Sequence, residues 1–352
     1  MLALNRHEKI GSQTLKKIVA AFSNIEDVWR VSQSILCEKL GNNISSYIME
    51  ARRSDPDDVI KKIVRSNIGY ITLYDNDYPK LLKQLPDAPV VLYIRGDFSI
   101  LSKMCLGVVG SRKYSEYGKK LSYKLSKECS SAGLVIVSGL ALGIDSFAHR
   151  GALDADGHTV GVLGCGIDQI YPASNFGLAK EMIDKGSVVI SEFPPGTPPL
   201  KFNFPTRNRI VAGLCLGTLV IEAREKSGAL ITAYQSLDYN RDVFALPGNI
   251  DCDTSWGSNK LIQEGAKLVL SADDILTEFK IKLSQSVDKK EVILEKGSSE
   301  EIVYNILKSG EKIVNDIVIE SGLNIIALNT ALTLLEMKGI IKNLGGGKFT
   351  IN

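Results

Sequence analysis

Residues 134–164 read LVIVSGLALGIDSFAHRGALDADGHTVGVLG. An apolar run, LVIV, closes on Ser138-Gly139. A helical stretch follows from Ile144 to Ala155. A second run, HTVGVLG at 158–164, closes again on glycine. Short apolar runs separated by a helix read as parallel strands buried on both faces. The same alternation continues outward in both directions. MCLGVVG (104–110) and a helical stretch over Glu116–Ser131 precede it; SVVISE (187–192), GTLVIEA (217–223) and DVFALPG (242–248) follow it. Six such runs with helices between them predict a doubly wound α/β fold, a parallel sheet covered on both sides.

The flanks have a different texture. Residues 1–66 read as a small helical domain. Leu15, Ile18, Val19 and Phe22 recur at helical spacing behind the cap candidate Ser12, and Asn24 and Ser32 are further helix starts. Asp55-Pro56-Asp57-Asp58 places proline and acids in a first turn. Residues 67–103 form a leading segment to the core, with two strand-like runs at Ile71–Tyr74 and Val90–Ile94. The core extends to about residue 280, and a polar stretch over 281–298 reads as a linker. From 299 to 352 the pattern is helix, helix-turn-helix and a glycine-centred hairpin, the order of a winged-helix domain.

Composition narrows the function classes. Among 352 residues, 42 Lys and Arg stand against 40 Asp and Glu, so no chain-wide basic footprint exists and a polyanion site must be local. The six cysteines are scattered, and with three histidines they argue against a zinc site. Reduced thiols, no membrane-length apolar run and no signal-peptide pattern lead to the expectation of a cytoplasmic protein without membrane contact.

Ligands of an open parallel sheet gather beyond the carboxyl ends of its strands. Those positions hold Gly110-Ser111-Arg112, Ser138-Gly139, Gly164-Cys165-Gly166, Glu192 with Lys201 downstream, and Glu222-Ala223-Arg224 before Ser227-Gly228. Glycine admits an anion to the backbone, hydroxyls donate, and arginine offers a planar fork to phosphate. Residues 204–215, FPTRNRIVAGLC, pose a conflict: Arg207 and Arg209 sit near the positive end of an expected helix. A bound anion would resolve it, and so would two solvated surface pairs. Phe202 and Phe204 interleave with the cations, a pairing suited to single-stranded nucleic acid, although Phe202 is read first as core cover. Glycines 161, 164 and 166 do not complete a dinucleotide fingerprint, because residue 169 is Gln; no nucleotide cofactor is expected. Glu192 and Glu222 are read as loop-orienting carboxylates, and His149 as a partly buried structural histidine bonded to a neighbouring loop. A nucleoside-monophosphate-processing enzyme is the rival reading, with Glu222 as its one good carboxylate.

The motifs SGLALGIDSFAHRGAL, GVLGCGIDQIYP, SEFPPGTPPLKFNFPTRNRIVAGL, SGALITA and LPGNI with GSNKLIQEGA resemble the DNA-processing protein A (DprA/Smf) family over roughly residues 105–270. The resemblance implies an extended Rossmann-like core, no enzymatic activity and no cofactor. It implies binding of single-stranded DNA during natural transformation, loading of the RecA recombinase, and a homodimer. Carried residue by residue, the strand-binding pocket falls on Gly110, Ser111, Arg112, Ser138, Gly139, Lys201, Phe204, Arg207 and Asn208. Arg209 is included with them, though it sits a helical step aside and can instead brace the loop. One departure stands out: the expected recognition helix of the last domain, NIIALNTALTLLEMKG, has Lys338 as its lone cation and Asn324 and Asn329 as thin support for base contacts, so the domain is expected to contact protein or to bind little DNA by itself.

Overall fold

The apolar runs become strands in the computed structural model, which describes residues 1–281, 294, 297–308 and 310–351. Five helices come first: α1 (Leu2–Asn5), α2 (Ser12–Ala21), α3 (Asp27–Arg30), α4 (Gln33–Ala51) and α5 (Pro56–Arg65). α5 starts as its sequence predicts, with the Asp55 carboxylate accepting from the Asp57 amide at 2.8 Å and Pro56 in the first turn. Ser12 is not a cap. Its hydroxyl accepts from the amide of Val90 at 3.2 Å and ties α2 to the leading segment of the core.

That segment supplies β1 (Gly69–Thr72), α6 (Lys80–Lys83) and β2 (Val91–Gly96). The alternating region then runs β3 (Cys105–Val109), α7 (Glu116–Ser131), β4 (Val135–Ser138), α8 (Ile144–Leu153), β5 (Thr159–Val162), α9 (Phe176–Asp184) and β6 (Val188–Ser191). It continues with α10 (Asn203–Leu214), β7 (Gly217–Val220), α11 (Gly228–Asp238), β8 (Asp242–Ala245), α12 (Trp256–Gln263), β9 (Lys267–Leu268) and α13 (Ala272–Glu278). The nine strands lie in the order β1-β2-β6-β5-β4-β3-β7-β8-β9. β3 to β9 are mutually parallel where they pair, while β1 and β2 extend the sheet antiparallel beyond β6. From β3 the chain steps one way through β4, β5 and β6, returns beside β3 as β7, and then steps the other way. The switch in direction at β3/β7 opens the crevice in which this class of sheet binds ligands.

Burial on both faces explains why the strands read as continuous apolar runs. Cys105, Val109, Val135 and Val137 pack into one hydrophobic cluster, whereas Leu106, Val108, Leu134 and Ile136 pack into another on the opposite side. The N-terminal helices share a third cluster with the sheet, including Leu15, Ile18, Ile48, Val91 and Tyr93. Two polar ties reinforce it: the Tyr93 hydroxyl donates to Asn5 Oδ1 at 2.9 Å, and Lys16 Nζ donates to the Pro86 carbonyl at 2.8 Å.

The chain divides into two compact units after residue 283. The expected linker, 281–298, lies largely outside the described residues. The second unit contains α14 (Ser299–Leu307), β10 (Lys312–Ile313), α15 (Val314–Ser321), α16 (Ile325–Met337), β11 (Ile341–Gly345) and β12 (Lys348–Ile351). Its three strands form a separate antiparallel sheet in the order β10-β12-β11. Caps follow the sequence: Ser298 accepts from the amide of Glu301, Asn324 accepts from that of Ala327, and Gly322 ends α15 at φ 65°. Val303, Leu307, Ile317, Leu328, Leu335 and Phe349 fill its core.

Candidate nucleic-acid interface

A cleft of about 720 Å³ opens beyond the carboxyl ends of β3, β4 and β7 and beside the first turns of α10 and α11. Arg112, Lys113, Lys201, Arg207, Arg224 and Lys226 line it, and the one carboxylate among its lining residues is Asp145, which is buried. Arg112 and Lys201, predicted from separate loops, therefore meet at one rim. Among the described residues, Arg112, Lys113, Lys201, Arg224 and Lys226 are exposed and form no ion pair. A cluster of unneutralised cations around a concave surface attracts a polyanion.

The Gly110-Ser111-Arg112 turn is built by local bonds. Ser111 Oγ donates to the Lys113 carbonyl at 2.7 Å and accepts from its amide at 3.1 Å, which presents Arg112 and Lys113 outward. The turn packs on the start of α8 because Gly143, at φ 83°, has no side chain. A Cβ there would lie 2.5 Å from the Ser111 carbonyl oxygen. Gly139 is held from the other side: its amide donates to Asp145 Oδ2 at 3.0 Å, as does that of Ala141 at 3.3 Å. Burial pushes the Asp145 carboxyl above its ordinary range, and the positive charge of Arg207 pulls against that shift.

The two arginines of α10 resolve the conflict posed by the sequence in a third way. Neither is a solvated surface residue. Arg207 is buried; Nη1 donates to the Gly139 carbonyl at 2.6 Å and to the Val162 carbonyl, and Nε donates to Asn208 Oδ1 at 3.2 Å. Burial lowers its pKa to about 10, with Asp145 opposing the shift. Arg207 thus lines the cleft while pinning α10 to the tips of β4 and β5. This corrects the expectation of a guanidinium free to grip phosphate. Arg209 does not line the cleft. It forms a buried pair with Glu192 (Nη2–Oε2, 2.6 Å) and reaches the half-exposed Asp87 (Nε–Oδ2, 3.2 Å), and so braces the loop. Its partner Glu192 is raised above the usual carboxylate range by burial, against the pull of Arg209.

Other expectations sort similarly. Ser138, the last residue of β4, is fully buried, its hydroxyl donating to the Val108 carbonyl at 2.6 Å, and is not among the cleft lining. Asn208 is, and its Nδ2 donates to the Gly228 carbonyl at 3.3 Å, joining α10 to α11. Phe204 lies near two guanidiniums, with Arg112 at 5.5 Å and Arg207 at 6.0 Å from its ring centre. Phe202 is not core cover: it is 68% exposed. Glu222 is not among the cleft lining; it accepts from the Ser115 amide at 3.0 Å and from the Ser115 hydroxyl, anchoring the far end of the loop that carries Arg112 and Lys113. His149 is fully buried, with Nδ1 2.6 Å from Thr159 Oγ1 on β5.

Tyr171 was not foreseen. Its ring centre lies 5.6 Å from that of Phe204, tilted by 43°. Nothing in the periodicity marks it. Lys113 and Lys226 each adjoin a strand-end turn, and that adjacency is their one signal in the sequence. Arg224, one of the strand-end residues, joins them in the cleft.

No single described helix is long and apolar enough to cross a membrane, and no described group of His, Cys, Asp and Glu is placed to hold a metal ion. The sequence pattern of the family described as DNA recombination-mediator protein A matches residues 69–280. The DNA processing protein DprA of Bacillus subtilis (strain 168) is 46% identical over 213 residues, 60% of this chain and 71% of that protein. DNA processing protein DprA of Streptococcus pneumoniae (strain R6) is 47% identical over 208 residues, 59% of this chain and 73% of that protein. The crystal structure of DprA from Streptococcus pneumoniae is similar with a TM-score of 0.70 and 38% identity, covering 78% of this chain and 95% of that one. A structure of DNA processing protein A from Helicobacter pylori, described for its single-stranded DNA binding mode, has a TM-score of 0.54 and 30% identity. It covers 60% of this chain and 95% of that one.

Proposed function

The chain belongs to the DNA recombination-mediator protein A family, and from that premise we propose that it binds single-stranded DNA in the cleft at the β3/β7 switch point. It serves DNA processing in natural transformation, protecting incoming strands and helping to load the RecA recombinase, and it works as a homodimer in the cytoplasm. The observation that carries the reading is the meeting of five cations without acidic partners, Arg112, Lys113, Lys201, Arg224 and Lys226, with Phe204 in one cleft. Cations hold the sugar-phosphate chain and a ring takes an exposed base, a combination indifferent to sequence. Arg207 and Asn208 set the position of Phe204 by fixing α10. The rival enzyme needs a carboxylate free in the cleft, and its one candidate, Glu222, is engaged with Ser115.

The second unit is read as a winged helix that contacts protein. α16 carries no Lys or Arg, and Lys338 at its end pairs with Glu300 at 2.5 Å. The hydroxyls of Thr330 and Thr333 donate to the carbonyls of Ile326 and Asn329, so they turn inward to the helix backbone. With Ile326 and Met337 also exposed, Asn329 is the one exposed side-chain amide that α16 offers to base edges, and it stands without a cation on the helix.

Fluorescence anisotropy on labelled single and double strands across a salt series tests the main reading. Binding to the single strand should weaken steeply with salt. Arg112→Ala and Lys201→Ala should each weaken binding to every sequence alike and reduce the logarithmic salt slope by about 0.7. Unchanged affinity for an oligo-dT strand in both variants would remove the cleft as the binding site.

A further inference from the structure

The cleft has two chemically different ends, and the sheet order sets their separation. Tyr171 lies on the connection that leaves β5, whereas Arg224 and Lys226 lie on the one that leaves β7. In the order β5-β4-β3-β7 these strands stand three spacings apart, roughly 14 Å. Arg112, on the turn after β3, falls between them. At the β5 end a small recess is lined by Tyr171, Phe204, Leu142 and Pro172 together with Arg112 and Arg207, without Arg224 or Lys226. Both rings of the cleft stand there, and one of its two guanidiniums, that of Arg207, is already bound to the Gly139 and Val162 carbonyls. At the β7 end, Arg224 and Lys226 are exposed beside Ser227 and Gly228, with no ring among these four residues.

Resting on the reading of the cleft as a single-strand site, we infer that it sorts the two parts of the polynucleotide. Tyr171 joins Phe204 as a second ring of a base platform at the β5 end, and Arg224 with Lys226 is a phosphate-only grip at the β7 end. The Tyr171 and Phe204 rings are tilted rather than parallel, so they do not sandwich a base between them. A base stacks on the open side of the pair, where Tyr171 is exposed. The cations at the other end meet a chain whose charge repeats at every nucleotide, and they need no base to do so.

The experiment uses the full chain and two ligands of equal length, oligo-dT and an abasic deoxyribose-phosphate oligomer, each titrated across a salt series. Tyr171→Ala should reduce the preference for oligo-dT over the abasic strand by at least fivefold, within the range expected for losing one stacked base, and leave the salt slope unchanged. Tyr171→Phe should retain the preference. The double variant Arg224→Ala/Lys226→Ala should reduce the salt slope by about 1.4, two single-strand phosphate contacts, with the preference for bases intact. All three positions are solvent-exposed, which keeps these substitutions away from the core. The division is overturned if Tyr171→Ala leaves the base preference intact, if the double variant leaves the slope intact, or if either variant moves both quantities. Failure of the underlying reading looks different: Arg112→Ala and Lys201→Ala would then leave oligo-dT affinity unmoved.

Discussion

Arg207 and Arg209 share a side chain and a helix, yet they answer to different partners. Successive residues of an α-helix turn by roughly 100°, so positions two apart point to nearly opposite sides. Phe204, Arg207 and Asn208, spaced at three and four, share the cleft side. Arg209 faces away, toward Asp87 and Glu192. His149 illustrates how a buried residue sets the response to acid. Burial first, and the charge of Arg207 second, push its imidazole down to about 3 from an ordinary 6.5. Well above pH 6.5 it is neutral in both folded and unfolded chains and contributes no pH dependence. Below that value the unfolded chain takes up a proton that the folded chain refuses, so stability falls as pH drops toward 3. The slope for this one group approaches about 1.4 kcal/mol per pH unit. Urea melts of the wild type and of His149→Gln between pH 7 and pH 4.5 should show a shallower decline in the variant. Parallel declines would mean that His149 is not held neutral.

At the scale of elements, α10 is the part that the site depends on. Its first turns carry Phe204, and the helix is fastened at both sides: Arg207 to the β4 and β5 tips, Asn208 to the start of α11, Arg209 to the leading segment and the β6 tip. Removing one partner of a buried ion pair leaves the other charge uncompensated, typically at a cost of about 3–5 kcal/mol. Arg209→Met should therefore lower unfolding free energy by that order in a urea melt, and Arg209→Met/Glu192→Gln should recover a substantial part. A single variant as stable as the wild type would show that the pair does not brace α10. Much of this element was legible: the apolar body Ile210-Val211-Ala212 and the proline upstream announce a helix. Its bonds to carbonyls and carboxylates were not. Those partners lie 17 to 122 residues away along the chain and carry no local signature.

For the molecule as a whole, the residues that line the cleft all belong to the first unit. A chain stopped after residue 283 should keep single-strand affinity within about twofold and the same salt slope, since the slope counts phosphate contacts made in the cleft. A large drop in slope by anisotropy would place DNA contacts in the second unit. Three of the five described lysines there, Lys312, Lys338 and Lys348, are paired with Glu320, Glu300 and Glu311, which leaves Lys308 and Lys342 without an ion pair among the described residues.

The sequence by itself determined the six core strands β3 to β8, but not the two-residue β9 or the antiparallel addition of β1 and β2. Burial on both faces forces each strand to be apolar throughout, and glycine at the strand ends marks where the backbone must turn closely, so both are written locally. It also located the rim at which Arg112, Lys201 and Phe204 meet, because ligand crevices follow strand ends. Only the tertiary structure decided which cations stay free and which turn inward, that Phe202 is exposed, and that Tyr171 reaches Phe204. Side-chain partners are chosen by strand order and helix rotation, which bring distant residues together, and a guanidinium takes whichever oxygen that packing places within reach.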